Sequence, residues 1–122
     1  MMKAKRILLA EDEVALRDFV SRNLHARGFE VLEASNGLEA MALWEREDPH
    51  LLILDIMMPR MDGYAFAREL QRRGLRTSIP VIVLTADGRA QQKAAQLGAD
   101  GYIEKPFDIP DFLDVVAQHV QP

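Results

Sequence analysis

The stretch LLILDIMMPRMDGY, residues 51–64, opens with four apolar residues in a row and then reaches Asp55. Beyond Asp55 the chain breaks into Met, Pro, Asp and Gly, residues suited to a turn. A carboxylate at the end of a buried strand is half out of water. That costs free energy unless a partner compensates it. Either the rest of the chain supplies the partner, or Asp55 is placed there to react.

Working outward, similar runs occur at 6–10 (RILLA), 29–34 (FEVLEA), 80–84 (PVIVL) and 101–104 (GYIE). The apolar residues at 7–9, 51–54 and 81–84 are continuous rather than alternating, the pattern of parallel strands covered on both faces. The run at 29–34 includes two Glu, as an edge strand would. Between the runs the spacing becomes helical. Leu16, Phe19, Val20 and Leu24 share a face, and Gly28 stops that helix. Asn36 is a fair N-cap for the next, with Leu38, Met41, Ala42 and either Leu43 or Trp44 inward, up to Pro49. Tyr64, Ala67 and Leu70 mark a third helix that ends at Gly74. A short fourth over 89–97 turns Ala90, Ala94 and Leu97 inward. The last carries Ile109, Phe112, Leu113, Val116 and Val120, with Asp108 and Pro110 at its start.

Strand and helix thus alternate five times. This predicts an α/β fold: a doubly wound, five-stranded parallel sheet in the order 2-1-3-4-5, flavodoxin-like. The 122 residues show no repeat or linker and read as one domain, 1–122, with its core over about 5–120.

Composition narrows the function. Lys plus Arg number 15 and Asp plus Glu 19, a formal charge of −4, which argues against direct nucleic-acid binding by a basic surface. With no Cys there is no disulfide, thiolate zinc site or cysteine nucleophile. The opening MMKAKRILLA meets Glu11-Asp12-Glu13 too soon for a secretory segment, and no run is long enough to span a membrane. A cytoplasmic location without membrane attachment is the expectation.

In such sheets ligands bind beyond the carboxyl ends of the strands, where strand order reverses. Glu11-Asp12 end the first strand, Asp55 the third, Thr85-Ala86 the fourth and Lys105-Pro106 the fifth. Each alone is an ordinary surface or capping residue; their convergence on one rim is informative. Three clustered carboxylates raise one another's pKa, and a hard cation relieves the repulsion. All-oxygen ligands suit Mg²⁺, or alternatively Mn²⁺. Glu11 and Asp12 therefore read as a metal cradle and Asp55 as both ligand and nucleophile. Lys105 and Thr85 could hold the oxygens of a phosphoryl group.

The four segments LLAEDE, LILDIMMPRMDGYAF, VIVLTA and GYIEKPF, in this order, resemble the receiver domain of bacterial response regulators, the CheY-like family. The resemblance covers nearly the whole chain. It implies that Asp55 is the phosphoacceptor and that Asp12 is a direct metal ligand, with Glu11 acting through water. It further implies that the Met57 backbone carbonyl binds the metal and that the Ala86 N–H binds phosphoryl. Thr85 and Tyr102 become the switch pair, and the Lys105–Pro106 bond is expected to be cis. The implied donor is a histidine kinase or a histidine phosphotransfer protein. The implied reader of the fourth-helix, fifth-strand and fifth-helix surface is a downstream target or an output domain, with a phosphorylation-dependent homodimer as a further partner. Such a protein is no enzyme beyond catalysing its own phosphorylation and dephosphorylation.

Alternatives differ in what they require. A phosphorylation-independent interaction module would not need every key position filled, as they are here. An aspartyl-phosphate phosphatase resembles this site but usually has a second Asp two residues after the nucleophile, where this chain has Met57. A flavin carrier would need a phosphate-binding loop where Glu11-Asp12-Glu13 stand.

Other residues invite blander readings. Between Thr85 and Lys105 the chain is short for the family, which predicts a shortened fourth helix or a tightened loop before it. Asp87 adds a negative charge near the site, as a solvated loop residue or one that orients hydrolytic water. Pro59 and Gly63 shape the turn after Asp55. His25, His50 and His119 read as surface histidines and Trp44 as a packing residue. The basic stretch 72–76 suits a helix C-terminus.

Overall fold

The computed structural model describes residues 4–74, 79–86 and 88–120. Five strands alternate with five helices: β1 (Arg6–Ala10), α1 (Val14–Ala26), β2 (Glu30–Ala34), α2 (Gly37–Glu47), β3 (Leu51–Asp55), α3 (Gly63–Arg72), β4 (Val81–Thr85), α4 (Ala90–Leu97), β5 (Gly101–Glu104) and α5 (Ile109–His119). The sheet is parallel throughout, in the order β2-β1-β3-β4-β5, as the alternation predicts.

Side chains on a strand point alternately to opposite faces, so continuous apolar runs feed two cores. Leu8, Ala10, Leu52, Leu54, Val81 and Val83 meet Met41, Trp44, Phe66, Leu70 and Ala94 from α2, α3 and α4. Ile7, Leu9, Leu51, Ile53, Ile82 and Leu84 meet Val20 and Leu24 of α1 and Phe112, Leu113 and Val116 of α5. Every residue of β3 and β4 is buried. Complete burial of one such side chain contributes about 1.5–3 kcal/mol.

The caps follow the sequence. The Asn36, Asp62 and Asp108 Oδ1 atoms accept the N–H groups of Glu39, Ala65 and Asp111 at 3.0, 2.9 and 2.8 Å. Gly28, at φ 91°, ends α1, and the Phe29 N–H reaches back to the Leu24 carbonyl. With eight residues α4 is the shortest helix, and its N-cap Arg89 makes no side-chain cap bond. The short fourth helix is thus as expected.

Several expectations need correction. Phe19 is half exposed, and Ser21 takes the buried position instead. Leu38 and Ala42 also face outward, while Ala40, Met41 and Trp44 form the inner face of α2. Trp44 is a packing residue, its ring edge-on to Phe66 at 6.4 Å.

Two of the three histidines are partly exposed yet also bonded into the fold. His50 Nδ1 accepts the Arg6 N–H at 3.0 Å, and His119 bonds the Val115 and Asp100 carbonyls. Of the basic stretch, Arg72 and Arg73 pair with Glu69, and Arg73 also pairs with Glu45. Residues 75 and 76 of that stretch, and Asp87, lie outside the described residues.

Candidate functional site

The acidic residues meet where β1 and β3 end side by side. Glu11 follows β1 and its N–H bonds the Ala34 carbonyl at 3.0 Å, which continues the sheet by one residue. Its side chain turns inward and is 1% exposed, whereas Asp12 is exposed. Asp55, the last residue of β3, is 4% exposed, and Thr85, the last of β4, 1%.

Lys105 bridges the two buried carboxylates. Its Nζ lies 2.7 Å from Glu11 Oε1 and 3.1 Å from Asp55 Oδ2. It comes from the turn after β5, held by the Lys105 N–H to the Thr85 carbonyl at 2.8 Å, and the Lys105–Pro106 bond is cis. The other Asp55 oxygen, Oδ1, accepts the Met57 N–H at 3.0 Å. Glu11 Oε2 accepts the Glu13 N–H at 3.1 Å, and Arg17 Nη1 donates to the Glu11 carbonyl at 2.8 Å.

Two close backbone approaches set the β3–α3 loop. A Cβ on Gly63 would stand 2.7 Å from Ile56 Cα, so this position is glycine because the chain passes against itself. Gly63 does not have a positive φ; in this turn that conformation falls to Arg60, at φ 70°. A Cβ on Gly37 would collide with the Met61 carbonyl at 2.2 Å, so the loop seats directly on the start of α2.

The electrostatics mark an incomplete charge balance. Burial pushes the Glu11 carboxyl up to about 7; the nearby Asp55 charge adds to this, and the bonds from Lys105 and Glu13 oppose it. Burial disfavours the Lys105 ammonium, but the Glu11 and Asp55 carboxylates outweigh it and raise its pKa. One oxygen from each of Glu11, Asp12 and Asp55 lies within 4.8 Å of the others. Among the described residues, three carboxylates thus face a single ammonium. The donor set is all oxygen, two of the groups are buried, and the net charge is negative, so the residues fit a small hard divalent cation.

Glu11, Asp12, Asp55, Thr85 and Lys105 stand at the strand ends where the sequence places them, and the three carboxylates and Lys105 come together. Tyr102 is 40% exposed and lies on the surface, flanked by Gly88, Arg89, Gln91 and Glu104 in a shallow groove beside α4. The Arg17 contact and the Gly37–Met61 seat were missed. Asn36-Gly37 ahead of an apolar run signals a cap, but nothing local to it points to residue 61.

A doubly wound sheet with an acidic cluster and a lysine at its switch point defines a class of phosphoryl-handling switch domains. The comparisons with known proteins make that class specific. Residues 7–117 match the response regulator receiver domain, and the chain belongs to that family.

The chain is 40% identical over 110 residues to the DNA-binding dual master transcriptional regulator RpaA of Synechocystis sp., covering 88% of this chain and 46% of that protein. It is 39% identical over 110 residues to response regulator MprA of Mycobacterium leprae, covering 88% and 47%. It thus spans less than half the length of these curated relatives.

Among solved structures, the chemotaxis response regulator CheY4 of Vibrio cholerae superposes with a TM-score of 0.88 at 27% identity, covering 96% of this chain and 99% of that one. The signal receiver domain of a response regulator from Bermanella marisrubri gives 0.86 at 32% identity, covering 97% and 99%. The fold is therefore CheY-like, and the chain is a response regulator receiver domain of two-component signalling. Among the described residues no helix is long and apolar enough to cross a membrane.

Proposed function

We propose that Asp55 accepts a phosphoryl group from a phosphohistidine, presented by a histidine kinase or a histidine phosphotransfer protein. The observation that carries this reading is the arrangement about Asp55. Its carboxylate is buried at a strand end, with one oxygen on the Met57 N–H and the other on Lys105. Both bonds fix the carboxylate in direction, as a nucleophile requires.

One Asp55 oxygen attacks phosphorus. An O–P bond forms as the P–N bond breaks, and the donor imidazole leaves with the electron pair and takes a proton from solvent. Lys105, already bridging Glu11 and Asp55, turns its ammonium onto a phosphoryl oxygen. The Thr85 hydroxyl and the Ala86 N–H bind the others. Asp12, Asp55, the Met57 carbonyl and, through water, Glu11 would hold Mg²⁺ or Mn²⁺, which supplies positive charge to the phosphoryl oxygens. Water later hydrolyses the acyl phosphate, so the chemistry is confined to the protein's own modification and reset.

The switch follows from packing. Thr85 moves toward the new anion, and Tyr102 leaves its surface position for the space vacated. The α4–β5–α5 face changes shape, and a downstream target or output domain reads it. The relatives that are transcriptional regulators support an output domain that acts on DNA.

The test is intact mass after incubation with acetyl phosphate, with Mg²⁺ and with chelator. A single added phosphoryl group, dependent on Mg²⁺ and absent in Asp55→Asn, is the expected result. No gain of mass, from acetyl phosphate or from a phosphorylated histidine phosphotransfer protein, would favour a phosphorylation-independent binding module.

A further inference from the structure

The methionines of this chain differ sharply in exposure. Met41 and Met58 are 5% and 6% exposed, and Met61 is half-buried against the α2–α3 core. Met57 is 69% exposed. It is also the residue whose N–H holds Asp55 Oδ1 at 3.0 Å, so its side chain leaves the backbone at the rim of the acidic site. The chain has no cysteine, so thioethers are its oxidisable sulfurs. Oxidation of a thioether by peroxide follows its accessibility.

We propose that Met57 is a site of reversible oxidation, and that its sulfoxide slows phosphoryl acceptance at Asp55. The second half rests on the function proposed above. The oxidant is a peroxide. The sulfur lone pair attacks one peroxide oxygen, an S–O bond forms and the O–O bond breaks. Sulfur is oxidised by two electrons; the second peroxide oxygen leaves as hydroxide, takes the proton from the transferred oxygen and departs as water.

The product replaces a soft apolar group with a polar S=O whose negative end is a strong hydrogen-bond acceptor. It stands at a rim where three carboxylates already face one ammonium. A phosphoryl donor is itself an anion and must cross that rim to reach Asp55. The added dipole and its hydration therefore oppose the approach, while the buried core methionines stay reduced. Reduction of the sulfoxide restores the thioether, so the effect is reversible.

The folded protein is treated with limiting hydrogen peroxide, and fragmentation mass spectrometry separates Met57 from its neighbour Met58 and from Met1 and Met2. Phosphorylation by acetyl phosphate is timed before treatment, after it, and after a methionine sulfoxide reductase. Met57→Leu is carried in parallel, its own untreated rate serving as reference.

Oxygen is expected at Met57 ahead of Met41, Met58 and Met61, with acceptance about five-fold slower and recovering on reduction. Met57→Leu is expected to keep its rate through peroxide. Oxygen appearing first at the buried methionines would overturn the proposal. So would a rate unmoved by full conversion of Met57, or an equal loss in Met57→Leu. If the untreated protein takes no phosphoryl group, the function reading has failed and the consequence of oxidation with it. The mapping alone still decides the site.

Discussion

At the amino end of the sheet, His50 Nδ1 accepts the Arg6 N–H at 3.0 Å and Arg6 Nη2 donates to the Asp48 carbonyl at 2.8 Å. There too, Asp100 Oδ2 accepts the Val81 N–H at 2.8 Å. At the carboxyl end, Glu11, Asp12 and Asp55 crowd one another around Lys105. At the first end His50, Arg6 Nη2 and Asp100 are bonded to backbone groups and stabilise the fold as it stands, although Arg6 Nε is buried without a hydrogen-bond partner among the described residues. The carboxylates at the second are mutually repulsive and matched by too little positive charge. One end is bonded largely within the fold, and the other keeps a charge balance that a hard cation would fit.

The most damaging way to test this contrast is to remove a matched group. His50→Ala leaves the Arg6 N–H without its acceptor and should lower stability by about 1–2 kcal/mol, read as the urea midpoint. A midpoint equal to the parent's would show that water replaces the histidine without loss.

The two ends should also respond oppositely to pH. Burial, with the charges of Lys5 and Arg6 adding to it, lowers the His50 pKa below the ordinary 6.5. The unfolded chain then binds the extra proton first, so this contribution is lost as pH falls below about 6.5. Glu11 has the reverse sign. Its folded value of about 7 exceeds the ordinary 4.5, so the native state holds the proton between them and stability falls as pH rises through that window. In chelator, Glu11→Gln should abolish the downward slope and leave the upward one. His50→Ala should do the opposite. Identical pH profiles for the two variants would break the comparison.

A smaller effect is expected from relieving the crowding. Asp12→Ala should raise the melting temperature in chelator by roughly 3 °C and weaken stabilisation by Mg²⁺. A lower melting temperature would mean that Asp12 makes favourable contacts that outweigh repulsion. The smallest change concerns backbone rather than charge. Arg60 holds a left-handed φ of 70°, and Arg60→Gly should gain about 0.5 kcal/mol. A loss instead would point to stabilising contacts of the Arg60 side chain.

These contrasts also explain what the sequence discloses. The strands β1, β3 and β4 are legible because burial on both faces demands unbroken apolar runs, and the site is legible because its residues end those strands. The helices are read less surely. An apolar stripe can be drawn through Phe19 or through Leu38 and Ala42, yet packing chose Ser21 on α1 and Ala40 on α2 for the inner face. The structural histidines were hidden for a different reason. His50 bonds a backbone group 44 residues away, and no local spacing announces such a partner. The turn after Asp55 is half legible: Pro59 and Gly63 mark a turn, but the contact of Gly63 with Ile56 exists only once the chain has doubled back.

The single tryptophan gives the molecule a built-in optical gauge. Trp44 is 6% exposed, and its indole lies against Phe66, in the core beneath α2 and α3 rather than at the rim. Its emission in the native protein should be that of an indole in oily surroundings and should move to the red as the chain unfolds. Every melting curve can therefore be recorded without a dye, from a residue that makes no contact with the chemistry.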